Sequence, residues 1–147
     1  MQDAVRQKKM TGFGDVAEPL LILDHVYQHE ANTPNRLYLT QPIGGREVVD
    51  YTWAEVVDQS RRMATHILAQ GFGPGARVAI LSKNCAHFIL AELAIWMAGA
   101  TTVAIFPTET PETIRYVLED SGASLLFVGK LEVWNPQLLS VIGSGSR

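Results

Sequence analysis

Four groups of residues in this 147-residue sequence have side chains and spacings that could do chemistry. His25 and His29 stand one helical turn apart, which is half of a metal site. No third ligand lies near them in sequence, and a solvated helix face accounts for the pair. Cys85 and His87 set a thiol beside an imidazole, the beginning of a nucleophile and its base. No acidic residue next to them would orient the imidazole, so a buried cysteine and a histidine at a helix start is the simpler reading. Gly71-Phe-Gly-Pro-Gly75 has the composition of a phosphate loop. Such a loop follows a strand and opens a helix, so that helix amides face the phosphate. These glycines instead follow a helical pattern and lead into a strand, and Pro74 removes an amide donor, which predicts a helix-to-strand turn. The last group is Ser82-Lys83-Asn84, Pro107-Thr108-Glu109-Thr110 and Gly129-Lys130, with hydroxyls, a carboxylate and two ammonium groups.

That last group gains its interest from the elements beneath it. Arg77–Ser82, Thr101–Phe106 and Leu125–Val128 are short runs of Val, Ile, Leu and Phe with little polar interruption, as in strands buried on both faces. Between them lie Phe88–Met97 and Glu112–Ser121, each long enough for a helical crossover. The pattern predicts an α/β fold, a layered parallel β-α-β-α-β sheet with right-handed connections. Ligands collect beyond the carboxyl ends of such strands. Ser82, Asn84 and Thr108 are therefore the rim candidates for binding, although solvated loops and caps are the simpler reading of these segments; no catalytic residue and no metal ligand is assigned. A membrane span over Ala86–Phe106 fails on Glu92 in mid-run, on the Gly99-Ala100 turn and on the strand-like Thr101-Thr102.

Upstream, Ile22, Leu23, Val26, Tyr27 and Ala31 recur at helical spacing, and Asn32-Thr-Pro34 ends that helix. Arg36–Thr40 and Glu47–Tyr51 flank Pro42-Ile-Gly-Gly45 and predict an N-terminal β-hairpin. Thr52 three residues before Glu55 is a capping-box signature. The helix it opens carries Trp53, Val56, Val57, Met63, Ala64, Ile67 and Leu68 on one stripe, with Asp58 and Arg62 on the wet side and Gly71 as its stop. Asn84 is the expected N-cap of the next helix, and Thr110-Pro111 opens the last, which Gly122 closes. The helix through Phe88, Leu93 and Trp96 is apolar on more sides than one sheet face covers. The isolated chain is accordingly expected to leave some of these side chains bare and to be partly molten or associated.

Composition narrows the functional classes. With 47% hydrophobic and 18% charged residues the chain is not of a disordered type, and a formal charge of -3 without a basic stripe speaks against nucleic acid. The single cysteine rules out an internal disulfide framework. Residues 1–19 read as a tail, 20–142 as the folded part, incomplete as a domain, and 143–147 as linker. Met1–Asp15 has no apolar core, so no signal peptide is expected and the cytoplasm is the expected location.

Tyr51-Thr-Trp-Ala-Glu55, Gly73-Pro-Gly-Ala-Arg-Val-Ala-Ile-Leu-Ser-Lys-Asn84 and Phe106-Pro-Thr-Glu-Thr110 resemble the AMP-forming adenylate synthetases. The run from Glu112 to Glu132 resembles their long-chain fatty acid–CoA ligase branch in particular, and the similarity extends from Leu20 to Trp134. The resemblance implies part of a large N-terminal domain of layered α/β subdomains, followed in the complete enzyme by a small mobile lid. It implies activation of a fatty acid with ATP to an acyl-adenylate, then transfer to the thiol of coenzyme A. Fatty acid, ATP, magnesium and coenzyme A are the implied ligands of the complete enzyme, not of this chain alone, and peripheral membrane association is a further implied property. The family's phosphate loop, Thr-Ser-Gly-Thr-Thr-Gly-x-Pro-Lys-Gly, and its lid lysine would lie downstream of Arg147, so no catalytic residue carries over. The chain is expected to be an N-terminal piece of such a ligase, inactive alone, with the missing remainder as its partner. A non-catalytic interaction module derived from the same fold is the second expectation.

Overall fold

The computed structural model describes residues 20–131. The expected tail, the linker-like end and residues 132–142 of the expected folded part lie outside these residues. Nine elements follow in order: α1 (Ile22–Asn32), β1 (Leu37–Gly44), β2 (Glu47–Thr52), α2 (Trp53–Ala69), β3 (Arg77–Leu81), α3 (Ala86–Met97), β4 (Thr101–Ile105), α4 (Pro111–Ser121) and β5 (Leu125–Val128). Among the described residues no helix is long and apolar enough to cross a membrane.

The expected parallel layer is present. β3 pairs in parallel with β4, Arg77 opposite Thr101 through Leu81 opposite Ile105, and on its other side with β5, so the order is β4-β3-β5. β3 is central and, beyond its first residue Arg77, fully covered, with Val78, Ala79, Ile80 and Leu81 at 1% exposure or less. Alternate side chains go to opposite faces. Val78 and Ile80 pack with Ala64 and Ile67 of α2 and with Ala91, Ala94 and Ile95 of α3. Ala79 and Leu81 pack with Ile105 and with Ile114 of α4. The crossover through α3 carries the chain to one side of β3, and the crossover through α4 brings it back to the other. With both connections right-handed, the two helices must lie on opposite faces.

The N-terminal elements form a second layer outside α3. Val26, Val56, Val57, Leu90 and Leu93 make a core to which Tyr38, Leu39 and Tyr51 of the hairpin contribute. This overturns the expectation of a bare helix. Leu93 is 3% exposed, and Phe88 and Trp96 are half-buried, because α1, α2 and the hairpin cover the side that the sheet leaves open. α3 is apolar all round because it is packed on two sides.

Three local expectations also change. β1 runs on through Pro42 to Gly44, and the turn is the pair Gly45-Arg46, both at positive φ (60° and 68°) as a two-residue hairpin loop requires. Among the described residues one side of β1 is unpaired, and a register irregularity follows Pro42, so the missing amide is tolerated there. The stripe on α2 excludes Leu68, 59% exposed, and includes Ser60, fully buried, whose hydroxyl donates to the Leu90 carbonyl at 3.1 Å. On α1 only Leu23 and Val26 turn inward, while Ile22, Tyr27 and Ala31 face out. A two-pronged Arg61–Glu30 ion pair ties α1 to α2, with the guanidinium 5.5 Å from the Tyr27 ring. The capping box forms as expected: Glu55 Oε2 accepts from Thr52 N at 2.8 Å, and Thr52 Oγ1 accepts from Glu55 N at 3.3 Å. Thr110 caps α4 through Thr113 N at 3.2 Å, and Asp58 pairs with Arg62 at 2.8 Å.

Candidate functional site

The parallel register of β3, β4 and β5 brings the residues after Leu81, Ile105 and Val128 to one edge of the sheet. Because the chain passes from β3 to β4 on one side and returns across β3 to β5 on the other, the switch point of this small sheet lies between β3 and β5, where a crevice opens in doubly wound folds. The hairpin closes over that corner. One cleft of about 420 Å³ lies between β1 and the start of α3, lined by Leu39, Gln41, Pro42, Asn84, Cys85 and Phe88 among others. A second, of about 380 Å³, adds Ile43, His87, Gly129 and Lys130.

Ser82 is the pivot of the corner. It is 4% exposed, its hydroxyl donates to the Lys83 carbonyl at 2.8 Å, and its oxygen accepts from Lys130 N at 3.0 Å. The Gly129 and Lys83 amides continue the β3–β5 ladder, donating to Leu81 O at 3.0 Å and Lys130 O at 2.9 Å. With its proton committed to a carbonyl, Ser82 clamps two strand ends together. Asn84 is exposed and lines the hairpin cleft, but it is not the cap of α3. The N-cap is Cys85, whose side chain makes no capping bond; its sulfur lies 3.8 Å from Ser82 Oγ. Gln41 takes over from a distance, its Oε1 accepting the Ala86 amide at 2.8 Å. Thr108 is exposed in the loop after β4 and is not among the residues lining either cleft. Topology thus gathers Ser82 and Asn84 at one corner, and Thr108 stands beyond the neighbouring strand.

Gln41 is a residue of this corner that the sequence did not single out, and Gly129 is named there only as part of the loop after the last strand. Nothing local links position 41 to position 86. A Cβ on Gly129 would stand 2.4 Å from Ser82 Oγ, so the strand ends close only because residue 129 has no side chain. Two other groups fall elsewhere. Gly75 donates to the Gly99 carbonyl at 3.2 Å, which puts the glycine-rich turn at the amino edge of the sheet, away from this corner. The His29 ring stacks on Trp53, centroids 4.4 Å apart, and Trp53 stacks on Tyr38 at 3.7 Å, so His29 is half of an aromatic contact.

Electrostatic perturbation lies behind the corner. Burial pushes the Glu92 carboxyl above its ordinary range, and burial followed by the charge of Glu92 pushes the Tyr38 phenol up as well. Among the described residues no group of three or more His, Cys, Asp and Glu is placed to hold a metal. The glycine-rich turn is at the wrong edge for a triphosphate. What the corner offers is a shaped rim with amide, thiol, imidazole and ammonium groups.

Comparison with known proteins gives this geometry a context. The family model described as AMP-binding enzyme matches residues 26–145. A long-chain-fatty-acid–CoA ligase, FadD15 of Mycobacterium bovis, is 35% identical over 102 residues, covering 69% of this chain and 17% of its own length. A solved structure of a putative long-chain-fatty-acid CoA ligase from Rhodopseudomonas palustris superposes with a TM-score of 0.72 at 25% identity, over 86% of this chain and 30% of that one. The O-succinylbenzoate coenzyme A synthetase of Bacillus subtilis, solved with ATP and magnesium ion, does so at 0.63 and 28% identity, over 71% and 27%. The chain spans less than a third of each of these proteins.

Proposed function

Because this chain belongs to the AMP-binding enzyme family, we propose that it supplies the N-terminal α/β layer of a ligase that activates a fatty acid. In that reaction the carboxylate attacks the α-phosphorus of ATP, giving an acyl-adenylate and pyrophosphate. The thiol of coenzyme A then displaces AMP to give the thioester. The observation that carries this reading is the family match across residues 26–145, and the 35% identity to the long-chain ligase of M. bovis supports a fatty acid as the substrate. The role of this chain is architectural. Its central strand and two-sided helix α3 form a rigid layer, and Ser82, Asn84 and Thr108 stand at the carboxyl edge where a nucleotide- or acyl-bearing partner segment would abut. Contacts to the triphosphate, each worth several kcal/mol in stabilising developing charge, come from outside the described residues.

Pyrophosphate release with ATP, magnesium and palmitate tests the proposal. The 147-residue chain alone is expected to show none, and the same chain fused to the complementary remainder of a long-chain ligase is expected to show palmitate-dependent release. Turnover by the chain alone overturns the architectural role. A well-folded fusion that is inactive on every fatty acid favours a non-catalytic interaction module.

A further inference from the structure

The corner clefts continue inward beneath α3. A third cleft, of about 150 Å³, has Met63, Ile80, Phe88, Ala91 and Phe127 in its walls, so it enters between α3 and the face of β3 and β5. It shares His87, Val128 and Gly129 with the second cleft, which in turn shares Gln41, Pro42 and Cys85 with the first. The three therefore adjoin in one trough with an apolar inner end. Its outer end carries Lys130, the one charged side chain among those lining the three clefts. No Asp or Glu lines any of them, and α3 has no acidic residue in its first turn. Lys130 is exposed, and among the described residues no ion pair engages it.

We propose that this trough binds an apolar chain ending in a single anionic head, a medium-chain carboxylate being the simplest example. Charge complementarity names the head. The Lys130 ammonium at the mouth attracts one negative charge, and His87 beside it can donate a hydrogen bond. The inner walls name the tail, because methylenes buried there are removed from water. The polar groups along the trough are already engaged. The Ser82 hydroxyl is committed to the Lys83 carbonyl and the Lys130 amide, and Gln41 Oε1 is held by the Ala86 amide. A polyphosphate needs several converging donors, and one ammonium does not supply them. The second cleft, at about 380 Å³, is within the roughly 300–1,000 Å³ range of small-ligand sites. The site stands on its own walls and charge, whatever reaction the complete protein performs.

Titration calorimetry of the 147-residue chain with octanoate, decanoate and dodecanoate, without ATP, tests the site. Each two-carbon step is expected to tighten binding by about tenfold until the inner end is filled. Octanol is expected to bind more weakly than octanoate, and added salt should weaken the carboxylate alone. Lys130→Gln should weaken decanoate by about fivefold at low salt, and Lys130→Arg should restore it. Amide shifts on adding decanoate should centre on His87, Phe88, Val128 and Gly129. Absence of binding overturns the proposal, as does equal affinity for octanol or an affinity indifferent to chain length. Shifts centred on the exposed Leu37 and Val48 of the hairpin, or on Phe106, also overturn it, in favour of loose adhesion to bare apolar surface. No nucleotide takes part, so failure here is distinct from failure of the acyl-adenylate reading in the pyrophosphate assay.

Discussion

Ser82 and Gly129 show how a single atom fixes the corner of this sheet. The Ser82 hydroxyl sits between the Lys83 carbonyl and the Lys130 amide, and the space in front of it exists because Gly129 has no Cβ. Gly129→Ala is expected to destabilise the chain by about 1–3 kcal/mol, the usual cost of forcing an extra carbon into a closed space. Ser82→Gly should remove most of that cost in the double variant, because the nearest atoms are the Ser82 Oγ and Cβ. Urea midpoints of the four proteins in the cycle measure it, and additive effects would show that the two residues do not meet. Two carboxylates make an opposed pair of pH effects. Glu55 accepts hydrogen bonds from Thr52, chiefly its backbone amide, which hold its carboxyl below the ordinary range. Its contribution is present above the unfolded-state value and fades as pH falls through the lowered one. Glu92 is raised by burial, so the native state binds its proton more tightly than the unfolded chain does. Stability falls as pH climbs from the ordinary glutamate range through the raised value. Glu92→Gln is therefore expected to raise the melting temperature at neutral pH and to change little in acid, whereas Glu55→Gln should lower it at neutral pH. Melts from about pH 3 to about pH 8 separate the two.

At the scale of elements, α3 depends on a partner that is distant in sequence. Its N-cap, Cys85, makes no capping bond, and the Ala86 amide is satisfied by Gln41 from the hairpin. Gln41→Ala is expected to cost about 1 kcal/mol, as loss of an N-cap does. Cys85→Ser in the same chain should recover part of it by offering a local hydroxyl, read out as a shift in urea midpoint. The elements themselves were largely legible. The buried runs of β3, β4 and β5, the Thr52–Glu55 capping box and the Thr110-Pro111 start are local signals, and each stands where the sequence put it. The misses share one cause. Asn84 is a competent cap by type, but the hairpin supplies Gln41 instead, and Leu68 fits the α2 stripe although it stays 59% exposed. Ser60 is polar yet buried, because the Leu90 carbonyl accepts its proton. Each of these depends on what packs across from the residue. The rim followed the same rule. Topology fixed that Ser82 and Asn84 share an edge, while the clefts beside them depend on a hairpin whose position no spacing rule gives.

For the whole molecule, the location of uncovered apolar surface sets how it behaves in solution. α3 is wrapped on both sides, so the surface left to water is not the helix that hydropathy suggests. Among the described residues it includes the hairpin, with Ile43 and Val48 more than half exposed, the start of α1 with Leu21 and Ile22, Leu68 of α2, Tyr116 of α4, and the end of β4, where Phe106 is 70% exposed. Among the described residues β4 and β5 each pair only with β3, which leaves two strands with a free side. β4 runs Thr-Thr-Val-Ala-Ile without a charge or a proline to discourage pairing with another chain, and Phe106 continues it as an apolar end. The 147-residue chain is therefore expected to associate through this edge as concentration rises. Phe106→Lys places a charge beside the edge at a position that makes little contact within the fold, so it should leave the melting temperature nearly unchanged while shifting the sedimentation profile toward monomer. Val103→Lys tests the same edge from within β4, where Val103 also packs beside Ile105 and Ile114, and it should lower both association and stability. If Phe106→Lys leaves association intact and a charge at Val48 abolishes it, the hairpin rather than the sheet edge is the adhesive surface. That outcome would also say that β4 is already covered by chain outside residues 20–131.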